Sequence, residues 1–316
     1  MIKIIYMSNG YFGVPTLKYL IKKKKITINY IITSKKKYIN NNLNLIKKIA
    51  QKNKIKIINS ENINKKKNIK KIIKSKPDLQ ILISFKIIKK KIWKIPKLGT
   101  INIHPSLLPL YKGSNPINWV IINGEKYTGL TSFFINNNID GGPIILQKKI
   151  KIKKNINFDN LFNKLSNLSK YFLIKTIKKI INKNYKCKTI INNTEYKLAP
   201  KINNFYTKIF FNFYKTKYIY NLILGLTKKK PSWCFLNTIN NIYILNIYKI
   251  NIKININLKN FTYLKPGEIL YYKKKIFVKT INNFFELLIC QLSNKKIMNI
   301  IDLYNGLKFK NKLFLF

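Results

Sequence analysis

The opening of the chain restricts its fold before anything else is read. "IKIIYM", apolar except for Lys3, is of strand length, and "SNGYFGVP" is a turn built on glycine and proline. "TLKYLIKK" then reads as a helix, and "ITINYIIT" as a second strand. A strand with apolar residues on both faces expects cover on both, which is the situation of a parallel sheet. The alternation continues. Leu45, Ile46, Ile49 and Ala50 share helical spacing, "IKIIN" from Ile55 reads as a third strand, and "PDLQILISF" from Pro77 to Phe85 as another. Strands alternating with helices predict an α/β fold around a parallel sheet, with the functional groups beyond the carboxyl ends of its strands.

The pattern runs on through the middle of the chain. "TINIH" is a strand that enters the loop "PSLLPLYKG". Pro116 suits the first turn of a helix that Gly124 closes. "TGLTSFFI" and "IILQKKIKI" are strands on either side of the turn "NNNIDGGP", and a long helix is expected from Phe158 to Ile181. The character changes near Cys187. "NNTEYKLAPKINN" is polar and carries a proline, as linkers do. After it come one helix, "KYIYNLILGL", then "KKKPSWCFL", and short alternating segments such as "KPGEILYYKKKIFVKT". The expected organisation is a first domain over residues 1–185, a linker over 186–203 and a small β-rich domain over 204–316.

Charge narrows the partners. The 316 residues include 63 basic and 9 acidic side chains, a formal net charge of +54, and every basic residue is a lysine. Such an excess of Lys, with Asn, Ile, Tyr and Phe, fits a strongly AT-rich coding sequence, and most charge runs are solvated faces. The same field also attracts polyanions, nucleic acid above all. One histidine and three scattered cysteines offer no metal-ligand spacing, so no metal is expected. The chain opens directly on a strand, and Lys or Asn interrupts each apolar run. A cytoplasmic protein, monomeric and free of the membrane, is expected.

That single histidine lies in "NIHPSLLPLYKG". Asn102 and His104 are two apart on one strand and therefore point to the same face. Asp140, one of few acidic residues, sits in a glycine-rich turn from which it could reach the same place. An amide can donate to a developing oxyanion, an imidazole can take or supply a proton, and a carboxylate can hold the imidazole, which together suit acyl transfer. No Ser, Cys or Lys is placed as a covalent nucleophile, so direct attack by a substrate amine is the simpler chemistry. A lone histidine among apolar neighbours is more often structural, and Asp140 alone could equally close an Asx turn. Drift towards AT-rich codons should have removed a dispensable histidine, and this favours the functional reading.

From Asn102 to Ile145 the chain resembles the folate-dependent formyltransferases. Their run of Asn-x-His-x-Ser-Leu-Leu-Pro, aromatic-basic-Gly, Pro, Gly-acidic, Thr-Gly-x-Thr and Asp-x-Gly is matched in order and spacing. Here it is Asn102, His104, Ser106 to Pro109, Tyr111-Lys112-Gly113, Pro116, Gly124-Glu125, Thr128-Gly129-Leu130-Thr131 and Asp140-Gly141-Gly142. The resemblance implies catalytic roles for Asn102, His104 and Asp140. It also implies a 10-formyltetrahydrofolate pocket contacted by Ser106, Leu107, Leu108 and Pro109. The implied architecture is a Rossmann-like parallel-sheet formyltransferase domain followed by a small OB-like β-barrel. "IIYMSNGYFGVPTLKYL", "YKLAPKI", "PSW" and "PGEIL" resemble the branch of the family that acts on methionyl-tRNA, which implies initiator methionyl-tRNA as partner.

The chain departs from that family's pattern at several points. Ser8-Asn9-Gly10 replaces its Gly-Thr-Pro, Ser84-Phe85-Lys86 its Ala-Tyr-Gly, Lys112 its Arg, and Phe210-Phe211 its Asp-Trp. The basic loop that relatives insert at the acceptor stem is reduced to "SKKKYINNN" from Ser34. A formyltransferase for a small amine, such as glycinamide ribonucleotide or an amino sugar, is the alternative enzyme, but the second domain and the basic surface speak against it. A decayed, noncatalytic RNA-binding protein is the alternative from another class. The retention of Asn102, His104 and Asp140 together speaks against that one.

Overall fold

The computed structural model describes residues 1–34, 45–187, 196–238, 241–306 and 313–316. Two compact units divide them: Met1–Pro116, Tyr127–Ile152 and Asn160–Pro200 in the first, Ile117–Lys126, Lys153–Asp159 and Lys201–Phe316 in the second. Of "SKKKYINNN", all but Ser34 lies outside the described residues.

In chain order the first unit begins β1 (Ile2–Met7), α1 (Val14–Ile21), β2 (Ile26–Thr33), α2 (Leu45–Lys52), β3 (Ile57–Asn59), α3 (Lys66–Lys74), β4 (Leu79–Ile83) and α4 (Lys90–Trp93). It continues with β5 (Thr100–His104) and β6 (Lys112–Gly113), and after α5 (Pro116–Ile122) with β7 (Tyr127–Phe134), β8 (Ile144–Lys151), α6 (Phe158–Ile181) and β9 (Leu198–Ala199). One seven-stranded sheet takes the order β3-β2-β1-β4-β5-β7-β8. The order reverses direction between β1 and β4, which is where open sheets of this kind form their crevice. The apolar runs explain the burial: Ile4, Ile5, Tyr6 and Met7 are fully buried, as are Leu79, Ile81 and Ile83. β1 to β5 pair in parallel.

The two last strands depart from the expected parallel sheet. β7 runs antiparallel to β5, and β8 antiparallel to β7. The turn between β7 and β8 has no room for the helical crossover that parallel neighbours need, so these strands form a hairpin. The sheet is parallel for five strands with an antiparallel edge.

The second unit contains α5, then α7 (Asn204–Thr207), α8 (Thr216–Gly225), β10 (Ser232–Asn237), β11 (Ile242–Asn251), β12 (Ile269–Tyr272), β13 (Lys275–Lys279), β14 (Phe284–Leu292), β15 (Met298–Asn299), α9 (Ile300–Gly306) and β16 (Phe314–Leu315). Its antiparallel sheet has the order β12-β13-β14-β11-β10-β16, with β15 on β14. The two ends of that order meet. Glu268 bridges to Phe314, and the Leu315 amide donates to the Gly267 carbonyl at 2.9 Å, so the sheet closes into a barrel. Gly267 is required there. Its φ is +95°, and a Cβ would stand 2.1 Å from the Leu315 oxygen. Cys234 and Cys290 are buried within this barrel, and burial pushes both thiols up, Cys290 to about 12. They are packing groups that stay protonated at neutral pH.

Candidate active site

Register decides what faces what. Leu82, Asn102 and Phe133 stand opposite one another on β4, β5 and β7. Side chains in register across neighbouring strands share a face. All three line one cavity of about 100 Å³, together with Phe85 to Ile88 after β4 and Ile135 to Asp140 after β7. The Ile135–Asp140 segment leaves the far end of β7 and folds back over the sheet, and this carries Asp140 to the carboxyl end of β5. A wider groove of about 790 Å³, lined by Lys3, Tyr30, Lys54 and Lys71 among others, lies over β2 and contains no imidazole or carboxylate. The smaller cavity is the one with chemistry.

His104 ends β5 and is buried. Its Nε2 lies 2.8 Å from the Tyr111 carbonyl oxygen, and its Nδ1 lies 3.7 Å from Oδ2 of Asp140. A carbonyl oxygen only accepts, so Nε2 carries a proton and Nδ1 is the nitrogen turned to the carboxylate. The same Oδ2 accepts from the Gly113 amide at 3.0 Å. Asn102 is half-buried at the cavity wall, and among the described residues its amide makes no hydrogen bond, so it is available to a ligand. Two of the chain's left-handed residues lie beside these groups. Tyr111 and Asp140 both take left-handed backbone, φ +61° and +48°, which costs on the order of 1–2 kcal/mol for a residue with a side chain. In Tyr111 that conformation turns the carbonyl to the histidine.

The four residues Ser106 to Pro109 sit otherwise. None lines the cavity. Ser106 is fully buried and its hydroxyl donates to the Leu110 carbonyl at 2.7 Å, and Leu108 packs with Phe133 and Ile144. The segment is pinned from β7 and β8. Thr131 Oγ1 donates to the Ser106 carbonyl at 2.7 Å and accepts from the Leu108 amide, and the Gln147 amide donates to the Leu108 carbonyl at 2.7 Å. Thr131 and Gln147 are partners in register. Sequence reasoning passed over Gln147. Its signal was a lone amide inside "IILQKKIK", on the face that the alternation turns towards Thr131.

Gly113 carries the next expected result. Its φ is +123°, and a Cβ would lie 2.4 Å from the Ala199 carbonyl oxygen across the β6–β9 pair. Gly113→Ala must push these strands apart and withdraw the amide from Asp140. Turnover should fall roughly a hundredfold, the scale of a misplacement of about 1 Å at a reacting group, and thermal unfolding should move down by several degrees. Unchanged turnover together with a lowered melting temperature would separate the β6–β9 pair from the chemistry.

A free amide and a carboxylate-paired imidazole, set at the strand ends of a doubly wound sheet, are the equipment of an acyl-group transferase. Among the described residues no three His, Cys, Asp or Glu side chains come together to hold a metal ion. Comparison with known proteins narrows the class. Residues 2–177 match the family described as Formyl transferase and residues 207–308 its C-terminal domain, and the chain belongs to the formyl transferase family. It is 33% identical to a protein of Flavobacterium johnsoniae named Methionyl-tRNA formyltransferase, with 98% of each chain covered. It is 34% identical to the Thermodesulfovibrio yellowstonii protein of the same name, with 96% of each covered. Among solved structures, the sugar 3N-formyl transferase WlaRD, determined in the presence of dTDP and 5-N-formyl-THF, superposes with a TM-score of 0.64 at 24% identity, over 94% of this chain and 99% of that one. At that identity the likeness is one of fold.

Proposed function

We propose that this protein transfers the formyl group of 10-formyltetrahydrofolate to the free amino group of methionine on initiator tRNA. The observation that carries the reading is the shared cavity of Asn102 and Asp140, with His104 held against Asp140. Two relatives of that name, aligned over nearly the whole chain, support the choice of substrate. The cavity suits a folate's flat heterocycle. Leu82, Ile88, Phe133 and Ile135 give it apolar walls, and Asn102 with the turn from Asn136 to Asp140 gives it polar edges. When bound, the folate supplies an activated formyl carbon on nitrogen. Ser106 to Pro109 border its approach, held in place by Thr131 and Gln147.

The chain's residues then have separate tasks. The methionyl nitrogen forms its bond to the formyl carbon, and the Asn102 amide donates to the oxygen as negative charge gathers there. The His104–Asp140 pair takes the proton released by the attacking nitrogen, and Asp140 is its cavity-lining member. That proton goes to the folate nitrogen as the carbon–nitrogen bond to it breaks, so one amide is exchanged for another and the enzyme is restored. Residues 1–185 carry this chemistry, 186–203 join the parts, and 204–316 hold the tRNA. The protein works as a monomer in the cytoplasm. Among the described residues no helix is long and apolar enough to cross a membrane.

The test is direct. Protein, 10-formyltetrahydrofolate and charged initiator tRNA should yield N-formylmethionine after the ester is hydrolysed, and absence of that product overturns the reading. Charge adds an expected result. With 63 lysines and no arginine, tRNA affinity should fall steeply with salt, each neutralised phosphate adding roughly 0.9 to the log–log slope for duplex, and elongator tRNAs should share much of the binding. A flat salt response in a binding titration would mean that the lysines play no part in holding RNA.

A further inference from the structure

The outer face of the barrel carries the wrong residues for a surface that meets only water. Along β10 the side chains of Ser232, Cys234 and Leu236 are buried, while Trp233 and Phe235 alternate with them and face out. The exposed face of an antiparallel sheet is ordinarily polar. At the neighbouring β16, Leu315 is fully buried, and Phe316, one step beyond, is 39% exposed. Its ring centroid lies 5.2 Å from that of Phe235, and Trp233 meets Phe235 edge-on, also at 5.2 Å. Phe205, 67% exposed, extends the surface through Phe210 at 5.8 Å.

A cation sits among these rings. The Lys208 ammonium lies 4.7 Å from the Phe235 centroid, 5.2 Å from Phe210 and 5.6 Å from Trp233. Among the described residues Lys208 has no carboxylate partner, and the sequence from 201 to 267 contains no Asp or Glu at all. At position 210 the resembled family's Asp is replaced by Phe, so the lysine faces rings in this chain. Partly exposed rings around an ammonium that no described carboxylate meets match two features of one ligand: flat bases and a phosphate backbone. Stacking on aromatic side chains is how proteins take hold of unpaired nucleotides, and it tolerates any base. An acidic peptide would use the lysine and leave the rings without a role.

We propose that Phe205, Lys208, Trp233, Phe235 and Phe316 form a platform that stacks the unpaired bases of a single-stranded RNA segment. The proposal rests on the tRNA reading in so far as that RNA supplies the segment. Its test uses no formyl transfer, so the two fail separately.

Trp233 provides the readout. In the full-length protein with Trp93→Phe and Trp119→Phe, it is the remaining tryptophan. The probes are a single-stranded RNA octamer of mixed sequence and an RNA duplex of matched charge, titrated at raised salt so that phosphate attraction alone is weak. The octamer should quench Trp233 and bind more tightly than the duplex. Phe235→Ala, and separately Phe205→Ala and Phe316→Ala at exposed positions where the barrel interior is untouched, should each weaken the octamer by roughly tenfold and the duplex hardly at all. Equal binding of octamer and duplex without quenching overturns the proposal. So does octamer affinity that survives removal of Phe205 and Phe316. A chain that passes this test but yields no N-formylmethionine would keep the platform and lose the methionyl-tRNA reading.

Discussion

Asn102→Ala lowers kcat for formyl transfer by roughly a hundredfold to a thousandfold, the range for loss of one oxyanion donor, about 2.7–4 kcal/mol. The expectation follows from register. Leu82 and Phe133 flank Asn102 across the strands, and they fix its side chain on the cavity face with little freedom to turn away. The amide has no partner among the described residues, so its loss orphans no protein group and the fold should persist. An interaction made only as charge develops lowers kcat and kcat/KM equally and leaves KM alone. Steady-state kinetics with thermal denaturation check both halves. A variant with near wild-type kcat would make Asn102 a structural residue.

Asp140→Asn should cost still more, about 10²–10⁴ in kcat, because it removes the charge that faces Nδ1 of His104. The substitution is nearly isosteric. An asparagine oxygen can still accept from the Gly113 amide, now 3.0 Å from the carboxylate, so the turn and the left-handed backbone at 140 should survive. The contrast with Gly113→Ala is the useful part, since that variant moves the backbone and leaves the charge. Asp140→Asn should unfold within a few degrees of wild type and fail in turnover. If turnover is retained, the imidazole works without its carboxylate, and the pair is a packing contact.

Much of the catalytic unit could be read in the sequence because its strands are rich in apolar residues and its turns keep their glycines and prolines. "ITINYIIT" is β2 and Phe158–Ile181 is α6, each with the bounds expected. The shared face of Asn102 and His104 also follows from spacing, since strand alternation leaves no choice of face, while Asp140 could only be said to lie in a turn able to reach it. Pairing was beyond reach. The antiparallel turn of β7 and β8 depends on how "NNNIDGGP" folds back, and that is a tertiary matter. α3 is written only in Ile, Lys and Asn, so its helical period is hard to separate from the background of the whole chain. The cavity lining from Asn136 to Asn138 stayed hidden for the same reason, because asparagines occur everywhere in this sequence. Resemblance alone pointed to Ser106 to Pro109; the cavity lining from Phe85 to Ile88 and from Ile135 to Ile139 lies on loops whose place depends on tertiary folding.

The central claim is a choice of acceptor amine, and one competition decides it most directly. Protein is given 10-formyltetrahydrofolate labelled in the formyl carbon, together with charged initiator tRNA, glycinamide ribonucleotide and a nucleotide-linked amino sugar. The account predicts that the label appears on methionine released from the tRNA and that Asn102→Ala and Asp140→Asn slow its transfer by roughly a hundredfold or more. Label on either small amine with none on methionine would contradict it.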